Sequence, residues 1–224
     1  MDKPYRHLIS VDEKTGIQAL QRMAADQPMQ KGQVRRLEYE YKRHGTSCLM
    51  AAVDLGEGEI VYYRLHPTRH EEDFLIFIQG IVKQFPADEE VVLLADQLNT
   101  HLSASLVEWI ASKIGFEGDL GKKNCRGILK NKQSRKAFLE NTDHRIHFAY
   151  TPTHCSWLNP IENWFSKLQR HVIRYGNFTS VAELENKIEA YIAYYNRCLV
   201  KPLNWKFKGF TKSVENDDIN RLKT

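Results

Sequence analysis

Apolar positions in this chain fall into short runs whose period changes from segment to segment. Residues 7–11 (HLISV) are a brief β-prone run that stops at Asp12 and Glu13. Leu37, Tyr39 and Tyr41 alternate with charged neighbours, the period of a half-buried strand. Residues 47–53 are an unbroken, largely apolar run, residues 54–59 (DLGEGE) read as a turn, and residues 60–65 supply another strand. Residues 34–65 therefore predict an antiparallel meander. The period then becomes helical. Thr68 followed by Glu71 predicts a capping box, and Phe74, Phe77, Ile78, Ile81, Val82 and Phe85 line one face until Pro86 ends the run.

Residues 91–95 (VVLLA) are apolar throughout, the pattern of a strand covered on both faces, and run directly into Asp96. A helix is expected over 103–114. Residues 115–136, rich in Gly and Lys, predict an inserted excursion with a short helix. Residues 146–150 read as a further strand, stopped by Thr151 and Pro152. Asn159 and Pro160 open a helix with Ile161, Trp164, Phe165, Leu168 and Val172 on one face. Ser180 with Glu183 caps a last one carrying Leu184, Ile188, Tyr191, Ile192 and Tyr195. Past Pro202 the chain is basic and aromatic (Trp205, Lys206, Phe207, Lys208) and ends in polar residues expected to fray. This order predicts an α/β fold, a mixed sheet flanked by helices. The expected domain covers residues 1–210, with an insertion at about 115–145 and a polar tail at 211–224.

Composition narrows the class. With 224 residues, 42% apolar and 27% charged, the chain is globular in type. Its longest apolar run lies within 48–53, far short of the roughly 18 residues of a membrane span. No apolar signal-peptide core follows the first charges, and the four cysteines (Cys48, Cys125, Cys155, Cys198) form no CxxC pair. A cytoplasmic protein with reduced thiols and no zinc site is expected. Net charge is +4, with a pI of about 8.8. Between residues 121 and 136 stand Lys122, Lys123, Arg126, Lys130, Lys132, Arg135 and Lys136, with no acidic residue among them. Lys167, Arg170 and Arg174 follow on the helix after Pro160. Such runs are commonly just solvated faces. In a DNA-processing protein they contact phosphates without reading sequence.

Three acidic residues stand out. Asp12 and Asp96 end predicted strands, and Glu162 lies in the first turn of a helix. In an open sheet, ligands gather beyond the carboxyl ends of the strands, and a helix packed across the sheet brings Glu162 to the same point. Converging carboxylates repel unless cations lie between them, and hard oxygen donors select Mg²⁺ or Mn²⁺. Two such ions are the usual device for activating water at a phosphodiester. Plainer readings stand beside this one. A strand-end Asp often just opens a turn, and Asn159, Pro160 and Glu162 form a capping arrangement by themselves. Glu13 is a rival ligand, although pleating turns it to the opposite face from Asp12. Asn99, His101 and Asn159 are turn and cap residues or partners that orient the carboxylates. Trp157 is expected to be a packing anchor.

Five segments carry a closer likeness: VDEKTG (residues 11–16), LNTH (98–101), YTP (150–152), SWLNPIE (156–162) and GNF (176–178). In that order they resemble the catalytic domain of bacterial insertion-sequence transposases of the mariner-related group, the DDE superfamily endonucleases. The resemblance runs over roughly residues 6–210. It implies a ribonuclease H-like fold, with Asp12, Asp96 and Glu162 as catalytic residues and as ligands of a pair of Mg²⁺ or Mn²⁺ ions. It further implies cleavage of double-stranded DNA at transposon ends, strand transfer into target DNA, a homodimer, and a bacterial cytoplasmic, nucleoid-associated setting. Gln97 stands where the family often has Asn. The 66 residues from Asp96 to Glu162 exceed the usual spacing by an amount that fits the basic insertion. Family members carry helix-turn-helix modules ahead of this domain, so such a region is expected to be missing from this chain. Two other functions stay open: a non-catalytic DNA-binding remnant, and a ribonuclease H-type nuclease on the same fold.

Overall fold

A computed structural model describes residues 5–203 apart from 26, 35, 37 and 154. Strands β1 (Arg6–Arg22), β2 (Tyr41–Asp54), β3 (Ile60–His66), β4 (Glu90–Ala95) and β5 (Ile146–Tyr150) form one sheet in the order β3-β2-β1-β4-β5. β1, β2 and β3 make an antiparallel meander, while β4 and β5 enter parallel to β1 through helical crossovers. The helices are α1 (Glu71–Val82), α2 (Ala104–Lys113), α3 (Lys132–Leu139), α4 (Ile161–Leu168) and α5 (Val181–Cys198).

The sheet has a core on each face. Ile9, Val11, Leu93 and Phe148 pack with Phe74, Phe77, Leu106 and Ile110 of α1 and α2. Leu49, Ala51, Val53 and Leu94 pack with Ile161, Trp164, Phe165 and Leu168 of α4 and Ile188 of α5. Leu93 and Leu94, adjacent in β4, thus face opposite cores, which is why that strand is apolar throughout.

Several boundaries differ from expectation. β1 continues well past Val11 to Arg22, because Gly16 adopts φ +65° and the pairing register shifts between Lys14 and Ile17. A bulge of this kind lets a polar stretch stay in a hairpin while bending it. β2 starts only at Tyr41. Leu37 lies outside the described residues, and Tyr39 and Tyr41 are exposed, so the alternation at 37–41 marks no buried face. At α1, Thr68 does not pair with Glu71. Thr68 Oγ1 and the His70 amide both donate to Asp73 Oδ2 at 2.8 Å, while Glu71 accepts from Ser105 Oγ of α2 at 2.7 Å. At Ser180 half of the expected box forms: its Oγ accepts from the Glu183 amide, while the Glu183 carboxylate accepts from the amide and hydroxyl of Thr179 one residue earlier.

The excursion after α2 contains α3, which places Phe138 and Leu139 in the first core. Trp205, Lys206, Phe207, Lys208 and the tail at 211–224 lie outside the described residues. All four cysteines are free. No described helix is long and apolar enough to cross a membrane.

Candidate active site

Parallel pairing of β1 with β4 sets the site. The last paired positions are Ser10 and Leu94, and two residues beyond each come Asp12 and Asp96. The two carboxylates are therefore level just past the point where the β1–β4 pairing ends, Asp12 still within β1 and Asp96 beyond β4. Asp12 is 7% exposed. Its Oδ1 accepts from the Glu13 amide at 2.8 Å and its Oδ2 from Asn159 Nδ2 at 3.2 Å. Burial, reinforced by repulsion from Asp96 and Glu13, lifts Asp12 to about 7 despite the amide bond. Asp96 is half-buried, and desolvation pushes it up as well. Its bonds to His101 and the Leu98 amide, with the charges of His101 and Lys132, prevail and hold it below the usual carboxylate range.

His101 is the hub behind Asp96. Its ring is fully buried and stacks on Phe74, with centroids 4.1 Å apart. Nδ1 lies 2.7 Å from Asp96 Oδ1, and Nε2 lies 3.1 Å from both carboxylate oxygens of Glu13. Desolvation disfavours the charged ring, but the bonds to Asp96 and Glu13 lift it to about 10. Glu13 thus faces the α1 side, opposite Asp12, as the pleat predicts. Gln97 Nε2 donates to Thr151 O at 2.8 Å, joining the ends of β4 and β5. Asn99 does not touch Asp96 in any recorded bond. Its Oδ1 accepts from Lys132 Nζ at 3.1 Å, and the same amine bonds Gln97 O at 2.7 Å.

Asn159 caps nothing with its side chain. It is turned into the sheet, where Oδ1 accepts from Ser10 Oγ and Nδ2 donates to Val11 O at 2.8 Å as well as to Asp12. Ser10 Oγ in turn accepts from the Ile161 amide at 3.1 Å, so a strand residue caps α4. Ser10 escaped notice in the sequence, although a small polar residue inside HLISV was the available signal. Glu162 lies in the first turn of α4, half-buried, and its carboxylate has no hydrogen-bond or ion-pair partner among the described residues. It is therefore not spent on capping. Nor is it gathered with the other two: among the described residues, no group of three or more His, Cys, Asp or Glu side chains is close enough to hold a metal ion. The available donors at Asp12 and Asp96 are carboxylate oxygens, while both nitrogens of the nearby His101 are taken. That set fits a hard divalent cation rather than zinc.

The basic residues divide. Lys122, Lys123 and Lys130 are exposed, and Arg126 pairs with Asp119 at 3.0 Å. Arg135 is half-buried and donates to Leu102 O at 2.7 Å and Leu129 O at 3.0 Å, a structural task. Lys136, Lys167 and Arg174 lie over the rings of Tyr150, Tyr195 and Tyr175, and Arg170 is exposed. Trp157 is 71% exposed and so is no packing anchor. It stands in a short 3₁₀ turn, Ser156–Leu158, none of whose residues is buried.

Comparison with known proteins agrees with this architecture. A family model described as DDE superfamily endonuclease matches residues 7–185, and one described as integrase core domain matches residues 162–210. No curated protein matches the chain. Among solved structures, the Mos1 mariner paired end complex with Mn aligns at TM-score 0.53 and 14% identity, over 85% of this chain and 50% of that one. A pre-cleavage Mos1 transpososome aligns at TM-score 0.53 and 12% identity, over 85% and 51%. The Mos1 strand transfer complex gives TM-score 0.51 and 13% identity, over 85% and 49%. The chain thus spans about half the length of the transposases it resembles, and its mixed five-stranded sheet is ribonuclease H-like in fold. With that endonuclease model matching residues 7–185, most of the sequence, the chain belongs to the DDE superfamily of endonucleases.

Proposed function

We propose that this chain is the catalytic domain of a transposase that cleaves DNA phosphodiesters at transposon ends and joins the freed ends to target DNA. The observation that carries the proposal is the level placement of Asp12 and Asp96, each two residues past the last β1–β4 pair, one buried and both with carboxylate oxygens that no Lys or Arg bonds among the described residues. Family membership supports the reading, as does the presence of Mn in a Mos1 complex of similar fold.

Asp12 and Asp96 would hold a pair of Mg²⁺ or Mn²⁺ ions, and Glu162, apart from them in the metal-free chain, would join as the third ligand once the cations offset the repulsion among the carboxylates. When bound, such ions supply an activated water and neutralise charge that develops at the scissile phosphate. The chain's own residues do the rest. Asn159 fixes Asp12 and ties it to α4, whose first turn carries Glu162. His101 and the Leu98 amide fix Asp96. Lys122, Lys123, Lys130 and Arg170 offer exposed charge to phosphates of double-stranded DNA, with no sequence preference. Arg174 and Lys14, two residues past Asp12, line a groove of about 470 Å³ that offers further positive charge. Two transposon ends call for two catalytic domains, so a homodimer is part of the proposal. So are a helix-turn-helix region encoded outside this chain and a bacterial cytoplasmic setting.

The test is nicking and strand transfer of pre-cleaved ends in Mn²⁺, comparing the wild type with Glu162→Gln. Loss of at least 100-fold in the variant, at an unchanged melting temperature, is expected. Equal activity would remove Glu162 from the site. Hydrolysis of RNA–DNA hybrids in preference to transposon ends would favour a ribonuclease H-type enzyme instead.

A further inference from the structure

Asp96 lies one residue beyond β4, where the strand ladder no longer fixes the backbone. Something else must set its carboxylate. Oδ1 takes both available donors, His101 Nδ1 at 2.7 Å and the Leu98 amide at 3.0 Å, whereas Oδ2 has no partner among the described residues. The imidazole itself is held on every side. Its face stacks on Phe74, the His101 backbone carbonyl accepts from the Tyr150 hydroxyl at 2.7 Å, and its far nitrogen is centred between the two oxygens of Glu13. With a carboxylate at each end, both ring nitrogens donate. The Glu13 side chain is only 3% exposed and its recorded side-chain bonds all go to this ring.

We infer that Glu13 and His101 are a positioning pair that aims Asp96, fixing Oδ1 so that Oδ2 is the oxygen presented to a divalent cation; this deepens the function proposed above and rests on it. Stability alone does not account for such a chain of buried charges, because apolar residues of similar volume are often neutral or stabilising replacements for a buried ion pair. Aim does account for it, since partners behind a ligand govern how well the ligand is presented. The placement of Glu13 next to Asp12 adds a reason for its use. Successive residues of one strand point to opposite faces, so β1 displays Asp12 directly and reaches Asp96 through Glu13 and His101. The two carboxylates are thereby referenced to the same backbone unit.

The experiment is isothermal titration of the full chain with Mn²⁺, alongside thermal melting and plasmid nicking. His101→Asn keeps a donor near the Nδ1 position but cannot reach Glu13. The double variant Glu13→Leu/His101→Phe replaces the pair by apolar groups and keeps the stacking on Phe74. The double variant is expected to melt near the wild-type temperature yet bind Mn²⁺ about 10–100-fold more weakly. His101→Asn should recover part of that loss. If the double variant is unfolded, Glu13→Gln, which preserves shape, provides the comparison and should weaken Mn²⁺ binding while still folding, with a lower melting temperature from the lost charge opposite His101. Wild-type Mn²⁺ affinity in folded variants lacking the pair overturns the inference. Mn²⁺ uptake that depends on Glu13 and His101 without any nicking supports it and instead overturns the nuclease reading. A wild type that takes up no Mn²⁺ overturns both.

Discussion

Truncating Asn159 to Ala separates two accounts of how α4 is attached. If Asn159 were an ordinary helix cap, removal would cost about 1 kcal/mol and depend only on the helix. The structure gives it a larger task. Its side chain is 1% exposed and bonds Ser10 Oγ, Val11 O and Asp12 Oδ2. In Asn159→Ala the Ser10 hydroxyl loses its acceptor, at about 1–3 kcal/mol for an unsatisfied buried group. Asp12 loses a charge-assisted bond of about 1.5–3 kcal/mol. Because these bonds share one network they do not simply add, and about 2–4 kcal/mol in total is expected. At roughly 2–4 °C per kcal/mol for a domain of this size, the melting temperature should fall by about 5–15 °C. The assay is urea and thermal unfolding in EDTA, with Asn163→Ala, exposed one turn along the same helix, as a control expected within about 0.5 kcal/mol of wild type. Ser10→Ala should be strongly non-additive with Asn159→Ala, by at least about 1 kcal/mol. A loss near 1 kcal/mol that adds independently to Ser10→Ala would refute the tethering account.

Four further outcomes follow from the same geometry. Without metal, Asp12 binds its proton more tightly folded (about 7) than unfolded (3.8), so its stability contribution is whole below 3.8 and is lost as pH rises to about 7. That amounts to about 4 kcal/mol at most. His101, lifted to about 10, loses its own contribution between 6.5 and 10. In EDTA, Asp12→Asn should therefore flatten the profile between pH 4 and 7 and raise the melting temperature at pH 8; parallel wild-type and variant profiles would contradict the burial argument. Replacing Lys122, Lys123 and Lys130 by Ala should lower DNA affinity and reduce the salt slope by about 2–3 if all three contact phosphates, as read by anisotropy across a salt series. Arg135→Ala should instead lose about 1–3 kcal/mol of stability through its freed carbonyl partners, with little change in salt slope. Trp157→Ala should leave the melting temperature within about 1–2 °C of wild type, given its exposure.

How much was legible in the sequence depended on how local the cause was. The all-apolar run 91–95 and the capped run after Ser180 express burial and capping within a few residues, and both stand where expected as β4 and α5. β1 was cut short because Lys14, Thr15 and Gly16 look like a turn, and only pairing with β2 across a glycine bulge keeps them in a strand. The local pattern at Asn159 and Pro160 was correct for a helix start but wrong about the capping atom. Ser10, 151 residues distant, caps the Ile161 amide instead. At Thr68 the capping partner was misassigned by two residues, because Glu71 is claimed by Ser105 from another helix. Asp96 follows the end of β4 as its pattern predicts, whereas Asp12 lies inside the longer β1 and is paired with Ala51 of β2. Their proximity followed only from a parallel register that no local pattern encodes. Trp157 was misjudged because residue type was used for burial where the turn geometry decides it.

The dense function of residues 10–13 has a common cause in their position. β1 is the central strand of the order β3-β2-β1-β4-β5, paired with β4 as far as Ser10 and with β2 through Lys14, so residues 10–13 stay in a ladder on one side while opening toward the site on the other. Ser10 receives the start of α4, Val11 O holds Asn159, Asp12 faces the α4 side, and Glu13 reaches His101 on the other face. Each neighbouring element is thus referenced to a rigid segment rather than to another loop. The same arrangement makes the site intolerant of register error. A one-residue slip of β1 would exchange the faces of Asp12 and Glu13, aiming a longer carboxylate at Asn159 and a shorter one at His101. The bulge at Gly16 sits just beyond this segment, so the strand can bend toward its distal hairpin without disturbing the pleat that sorts the two acids.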